Sequence, residues 1–214
     1  MTTLITGANR GIGAALLAKF QMSDQDALGT SRQTDDLLDL DVTDARSFER
    51  LSKALNGRPI KHLICNAGVF GDKGMSLDKG YTPDIWVDTF AANVTGVFQT
   101  IQTILPNLRA ATDAKIMIIS SQMGSSERAQ GGAYAYRASK AAVTNLGRNL
   151  AIDLKPEGIA VGIYHPGWVQ TDMGGSAAAI TVDDSVNGLY DRISALSIAT
   201  TGCFETWDGR MHPF

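Results

Sequence analysis

Seven short apolar runs, separated by turn residues and by longer stretches of helical period, limit what this 214-residue chain can fold into. They are TTLIT at 2–6, DALGT at 26–30, LLDLDV at 37–42, KHLICN at 61–66, KIMIIS at 115–120, IAVGIYH at 159–165 and GCFET at 202–206. Most lack polar alternation, which is the pattern of strands covered by helices on both faces. Between them, residues 11–22, 44–55, 83–109, 133–154 and 182–195 carry helical period. Asp44 stands where a helix cap belongs, Pro83 falls in a first turn, and Gly158 follows the fourth helix. Alternating β and α units predict an α/β chain with a parallel, doubly wound, seven-stranded sheet. With 44% hydrophobic residues and no repeat or linker, residues 1–214 are expected to form one domain.

One connection departs from the pattern. Only the six residues SRQTDD separate the second strand from the third, whereas a parallel crossover ordinarily uses a dozen or more residues and a helix. Six extended residues reach roughly 20 Å, just enough to retrace a short strand. The spacing predicts a loop there, the helix being shortened or absent, with that face of the sheet partly uncovered.

Composition narrows the function classes. A net charge of −3 gives no basic surface for nucleic acid or an anionic membrane, so neither is an expected partner. No window approaches the ~18 uninterrupted apolar residues of a membrane span, and MTTLITGANR lacks the layout of a secretion signal. A cytoplasmic location is the expectation. Cys65 and Cys203 lack metal-ligand spacing, so no metal site or disulfide is expected and both read as plain buried thiols.

The segment TGANRGIG joins the first strand to the first helix, with Gly7, Gly11 and Gly13 spaced G-x-x-x-G-x-G. Such a turn admits a pyrophosphate close to the backbone, and the helix N-terminus offers it unpaired N–H donors. This turn, with CNAG at 65–68, ISS at 119–121, YRASK at 136–140 and HPGWVQTD at 165–172, resembles the short-chain dehydrogenase/reductase family. The motifs occur in family order over residues 3–173, and GGAYAYRASKAA with HPGWVQTDMGG is most similar to the subgroup of C-factor and sniffer-like carbonyl reductases.

The resemblance implies a Rossmann fold that binds a nicotinamide dinucleotide. Gly7, Asn9, Gly11, Ile12 and Gly13 would line the pyrophosphate, Asp41 and Val42 would meet the adenine, and Asn66, Ala67 and Gly68 would support the adjacent ribose and sheet. Asp41 also stands where it could cap the following helix. Pro166, Gly167, Val169 and Thr171 match the segment against the nicotinamide, with Thr171 as its polar contact; His165 before them reads as structural. An NAD site usually ends the second strand with an acid that would repel a 2′-phosphate. Here Ser31 is neutral and Arg32 offers a planar donor fork, with Arg10 as a second cation, so NADP(H) is favoured over NAD(H). Both arginines are otherwise solvated surface cations.

Carbonyl reduction leaves a developing alkoxide, which needs a positioned acid. GGAYAYRASKAAV offers two tyrosines. Tyr136 and Lys140 are i and i+4 and share a helix face, while Tyr134 lies six residues from Lys140, about 240° around. Tyr136 is therefore the candidate acid, with Lys140 lowering its pKa and, by the resemblance, holding the nicotinamide ribose. The resemblance assigns Ser121, rather than Ser120, to positioning the substrate oxygen, and Asn93 to bending the long helix and holding a water that leads from Lys140 to solvent. Ser121 lies thirteen residues before Tyr134 and fifteen before Tyr136. The resemblance implies the shorter gap, which by itself would choose Tyr134; the lysine register chooses Tyr136, and the loop QMGSSERAQGG then absorbs two extra residues, as the C-factor-like subgroup does.

The segment MGGSAAAITVDDS at 173–185 reads as a short substrate lid with few specific contacts. Nothing in the body of it announces a charged substrate, so the expected partner is a small or apolar aldehyde, ketone or alcohol. The competing reading is a cofactor-binding signalling protein of C-factor type. Alanine-rich faces of 83–109 and 133–154 suit a homodimer or homotetramer.

Overall fold

Successive residues of a strand face opposite sides of a sheet, and in this chain both sides must be apolar. The computed structural model, which describes residues 2–23, 25–32 and 36–214, shows how that requirement is met. In chain order the elements are β1 (Thr2–Ile5), α1 (Gly11–Met22), β2 (Asp26–Ser31), β3 (Leu38–Asp39), α2 (Ala45–Leu55) and β4 (Ile60–Cys65). Then come α3 (Pro83–Phe90), a π-helical turn (Ala91–Thr95), α4 (Gly96–Arg109), β5 (Lys115–Ile119), α5 (Tyr134–Leu154), β6 (Ala160–His165), α6 (Val182–Ala195) and β7 (Phe204–Thr206). Among the described residues the seven strands form one parallel sheet in the order β3-β2-β1-β4-β5-β6-β7.

Neighbouring residues of the central strands split between two cores. Leu4, Leu63, Ile116 and Ile118 pack with α2, α4 and α5, while Ile5, Ile64, Met117 and Ile119 pack with α1 and α6. Each such side chain, fully buried, contributes roughly 1.5–3 kcal/mol relative to exposure. The runs lack polar alternation because neither face is wet.

The β2–β3 connection is non-helical at Arg32, Asp36 and Leu37, while the expectation for residues 33–35 lies outside the described residues. Leu37 partly covers the sheet there, packing on the α1 and α6 core. An added Cβ at Gly29 would lie 2.7 Å from Ala8, 2.8 Å from Leu17 and 3.0 Å from Leu37, so the strand is bare where those chains close in.

Three expectations need correction. The third strand was expected over 37–42 but pairs only at Leu38 and Asp39. Asp41 then turns the chain, its Oδ1 accepting from the Thr43 amide and hydroxyl, so that Asp44 can cap α2 by accepting from the Arg46 amide. The helix expected over 83–109 is continuous in path but widens into the π turn at 91–95. Cys203 is only half-buried, with its Sγ 3.5 Å from the Tyr164 hydroxyl, whereas Cys65 is buried.

Candidate active site

The C-terminal ends of the strands open into a cleft of about 850 Å³. Its floor begins at the glycine turn. Gly7 and Gly11 have φ of +65° and +54°, the left-handed region where side chains are disfavoured. A Cβ at Gly13 would lie 2.2 Å from the Gly7 carbonyl oxygen and 2.5 Å from Asn66 Nδ2, so only glycine lets α1 start this close to the strand. Asn66 bolts the turn in place by donating to the Thr6 and Gly7 carbonyls at 3.0 and 3.1 Å. Arg10 gives α1 no side-chain cap, and Gly11, Ile12 and Gly13 line the cleft, leaving the helix N-terminus open to an anion. The donor set therefore fits a pyrophosphate.

Asn9, Arg10, Ser31, Arg32, Asp41 and Val42 also line the cleft. Burial opposes ionisation of Asp41, but the two Thr43 hydrogen bonds and the charge of Arg32 outweigh it and hold the carboxyl below its ordinary range. Arg32 thus stands near Asp41. Arg10 does not join it, because its guanidinium pairs with Asp172 at 2.8 Å across the cleft. The two arginines expected to converge on one anion are separately engaged.

Tyr136 and Lys140 rise from α5. Lys140 Nζ lies 5.7 Å from the Tyr136 ring centroid and donates to the Ile119 carbonyl at 2.9 Å. Burial lowers the lysine to about 8. Burial also pushes the Tyr136 phenol up to about 12; hydrogen bonding to Ser121 pulls it down and the charge of Asp72 raises it. The expected lowering of the tyrosine by its lysine is thus reversed: desolvation dominates, and the ammonium points at a backbone carbonyl. Tyr134 faces elsewhere, 36% exposed and edge-on to Tyr81.

Ser120 and Ser121 separate cleanly. Ser120 Oγ is held against α5 by the Lys140 carbonyl at 3.1 Å and Thr144 Oγ1 at 2.7 Å, while Ser121 is the one bonded to Tyr136. The extra loop length is taken up by a 3₁₀ turn at Gln122–Gly124 and then by Gly131, Gly132 and Ala133, all at positive φ. Gly124 is pressed on α5: a Cβ there would meet the Lys140 backbone at 2.6 Å.

Ala67, Gly68, Pro166 and Thr171 also line the cleft. Asn93, Ser121, Gly167 and Val169 are not among the residues that line it, whereas Ser120 is. Asn93 occupies the π turn, accepting from the Val69 amide at 2.8 Å and donating to the Val69 carbonyl and Ser139 Oγ, so both its amide hydrogens are engaged within the protein. Gly68 gives it room, since a Cβ there would approach Asn93 Oδ1 to 3.0 Å. Val169 is buried and bridges to Ile180, and Gly167, at φ +91°, lies under Ile180 and Trp207. His165 faces His212 rather than the cleft.

The lid is shorter and better tied than expected. The α6 capping box of Thr181 and Asp184 ends it before Val182, and Lys73 Nζ holds the Met173 carbonyl at 2.8 Å while Trp168 Nε1 holds that of Gly174 at 2.9 Å. Sequence reasoning missed Phe70 and Asp72. Phe70 stacks on Tyr136, with centroids 4.1 Å apart and planes 16° from parallel. Asp72 caps α5 from 63 residues away. The only local hint is negative, because Ala133 before the helix has no capping side chain.

Among the described residues no helix is long and apolar enough to cross a membrane, and no group of side chains could hold a metal. The family model for short chain dehydrogenases matches residues 1–180. The C-signal protein of Myxococcus xanthus is 39% identical over 157 residues, covering 73% of this chain and 93% of that protein. An NADPH-bound carbonyl reductase from chicken fatty liver is 28% identical with a TM-score of 0.89, covering 100% of this chain and 98% of that one. The carbonyl reductase Sniffer of D. melanogaster is 27% identical with a TM-score of 0.91, covering 100% and 99%. The chain belongs to the short-chain dehydrogenase/reductase family and is an NAD(P)-dependent oxidoreductase of that family.

Proposed function

We propose that the protein reduces small or apolar aldehydes and ketones with NADPH, and that Tyr136 is the general acid. The observation that carries this reading is that Tyr136, hydrogen-bonded to Ser121, and Lys140 line the same cleft as an uncapped, glycine-lined helix N-terminus. Bound NADPH supplies the hydride. Ser121 and Tyr136 hydrogen-bond the carbonyl oxygen and polarise it. The phenol, raised to about 12 by burial, keeps its proton at neutral pH and delivers it to the developing alkoxide. Lys140, near 8, exchanges protons close to neutrality and is suited to resupply the tyrosine.

The choice of NADP(H) is supported by a second strand that ends in Ser31 and Arg32 rather than an acid, and by the cofactor of the chicken enzyme. Val69, Ile85 and Met173 give the substrate end an apolar lining. Self-association through α4 and α5, where Phe98 is 38% and Ile152 71% exposed, belongs to the same reading.

The 39% identity to the C-signal protein favours a second reading, a cofactor-dependent signalling role with little turnover. NADPH oxidation over a panel of carbonyls decides between them. For the reductase, Tyr136→Phe is expected to lose roughly 100-fold or more in kcat while still binding NADPH. Equal, negligible turnover in both proteins with cofactor bound would instead favour signalling.

A further inference from the structure

The loop after β4 reaches Tyr136 from outside its own helix. Helix α5 begins without a local cap, Ala133 preceding it at φ +44°. Asp72 fills that place: Oδ2 accepts from the Ala135 amide at 2.8 Å and the Tyr136 amide at 3.4 Å. It is 0% exposed, and its Oδ1 has no partner among the described residues. A buried carboxylate is costly unless something compensates it, and here the compensation is the N-terminus of α5. The same loop covers the tyrosine's face with Phe70, joins the π turn through Val69 and Asn93, and grips the lid through Lys73.

We propose that Asp72 is a positioning residue for Tyr136: it fixes the first turn of α5, and with it the point from which the phenol delivers its proton. This rests on Tyr136 being the acid. The groups that act on the phenol are Ser121 from the loop after β5, by hydrogen bond, and Asp72, by its charge, with Lys140 one turn further along α5, 5.7 Å from the ring. The charge of Asp72 disfavours phenolate. Removing it makes the phenol more acidic and moves the alkaline limb of the reduction profile to lower pH.

The test compares Asp72→Asn, Asp72→Ala and Tyr136→Phe, with the panel carbonyl that turns over fastest and with NADPH binding followed by fluorescence. Asp72→Ala, which loses both acceptor and charge, should lower kcat about tenfold or more at unchanged NADPH affinity. Asp72→Asn, which keeps an acceptor, should restore most of kcat and show the limb displaced to lower pH. If Asp72→Ala fails to bind NADPH, Asp72→Ser, which keeps a shorter acceptor, takes its place: a lowered kcat at unchanged NADPH affinity supports the proposal, and a wild-type kcat overturns it. Wild-type kcat and profile in both Asp72 variants, beside an inactive Tyr136→Phe, would overturn this inference and leave the reductase intact. Wild-type kcat in Tyr136→Phe, or no turnover of any carbonyl, would remove both.

Discussion

Arg10 and Arg32 bring like charges to the cleft but meet different groups. Arg10 is held by Asp172, and Arg32 lies near enough to Asp41 to help keep it ionised. A 2′-phosphate at the end of β2 would add two negative charges beside the Arg32 fork, whereas a bare ribose would add none. Arg32→Asp replaces attraction by repulsion for the phosphate and supplies an acceptor for the ribose hydroxyls. The ratio of NADPH to NADH efficiency, kcat/KM, should fall at least about tenfold, since a hydrogen bond to a charged group contributes about 1.5 kcal/mol or more. An unchanged ratio from steady-state kinetics would sink the NADP(H) assignment. At this scale much of the site was legible in the chain. Helical register alone chose Tyr136 over Tyr134, and the spacing of Gly7, Gly11 and Gly13 marked the cleft floor. The direction of the Tyr136 shift was not legible, because it depends on how deeply the ring is buried, and the Asp72 cap spans 63 residues with no sequence pattern.

Elements were legible where they are long and periodic, and less so where a few hydrogen bonds decide their ends. The sheet and its helices follow from apolar runs, but β3 stops after Asp39 because Asp41 and Asp44 turn the chain into α2. The π turn is invisible to periodicity, since Asn93 there is fixed by Val69 and Ser139, both far along the chain. The long loop before α5 was predicted from residue counting, and its conformation explains how it fits. Gly131, Gly132 and Ala133 are successively left-handed, at φ +74°, +66° and +44°. Two of these suit glycine; the third is an alanine, for which the left-handed region costs about 1–2 kcal/mol. Ala133→Gly relieves that cost and adds unfolded-chain entropy of about 0.4–1 kcal/mol. Glycine is also acceptable before a helix. The net expectation is a gain of up to about 1.5 kcal/mol, seen as a thermal midpoint about 3–6 °C higher at most. A lowered midpoint would mean that the alanine methyl makes a contact worth more than the strain.

Across the whole molecule, all three histidines are buried: His62 under β1 and α1, His165 at the end of β6, and His212 against it and Phe204. Burial lowers His62 to about 4, helped by the charges of Lys115 and Lys61. Burial likewise lowers His165 to about 4, with His212, Arg128 and Arg210 adding to it and Asp208 opposing. His212 is lowered too, chiefly by burial. An unfolded histidine titrates near 6.5, so between about pH 6.5 and 4 the unfolded chain binds more protons than the folded one. Stability therefore rises with pH across that window and is lost on acidification, by up to about 3 kcal/mol for each of His62 and His165. That is a large part of the ~5–15 kcal/mol that holds a domain together. Asp41, Glu157 and Asp208 have depressed pKa values, so their contribution is lost only below about pH 5 and overlaps the acid end of that window but not the range from about pH 7 to 5. Urea midpoints should fall steadily from pH 7 to pH 5, and the fall should be shallower in His62→Gln/His165→Gln. A midpoint flat over that range would show that these rings are not neutral and buried in the folded protein.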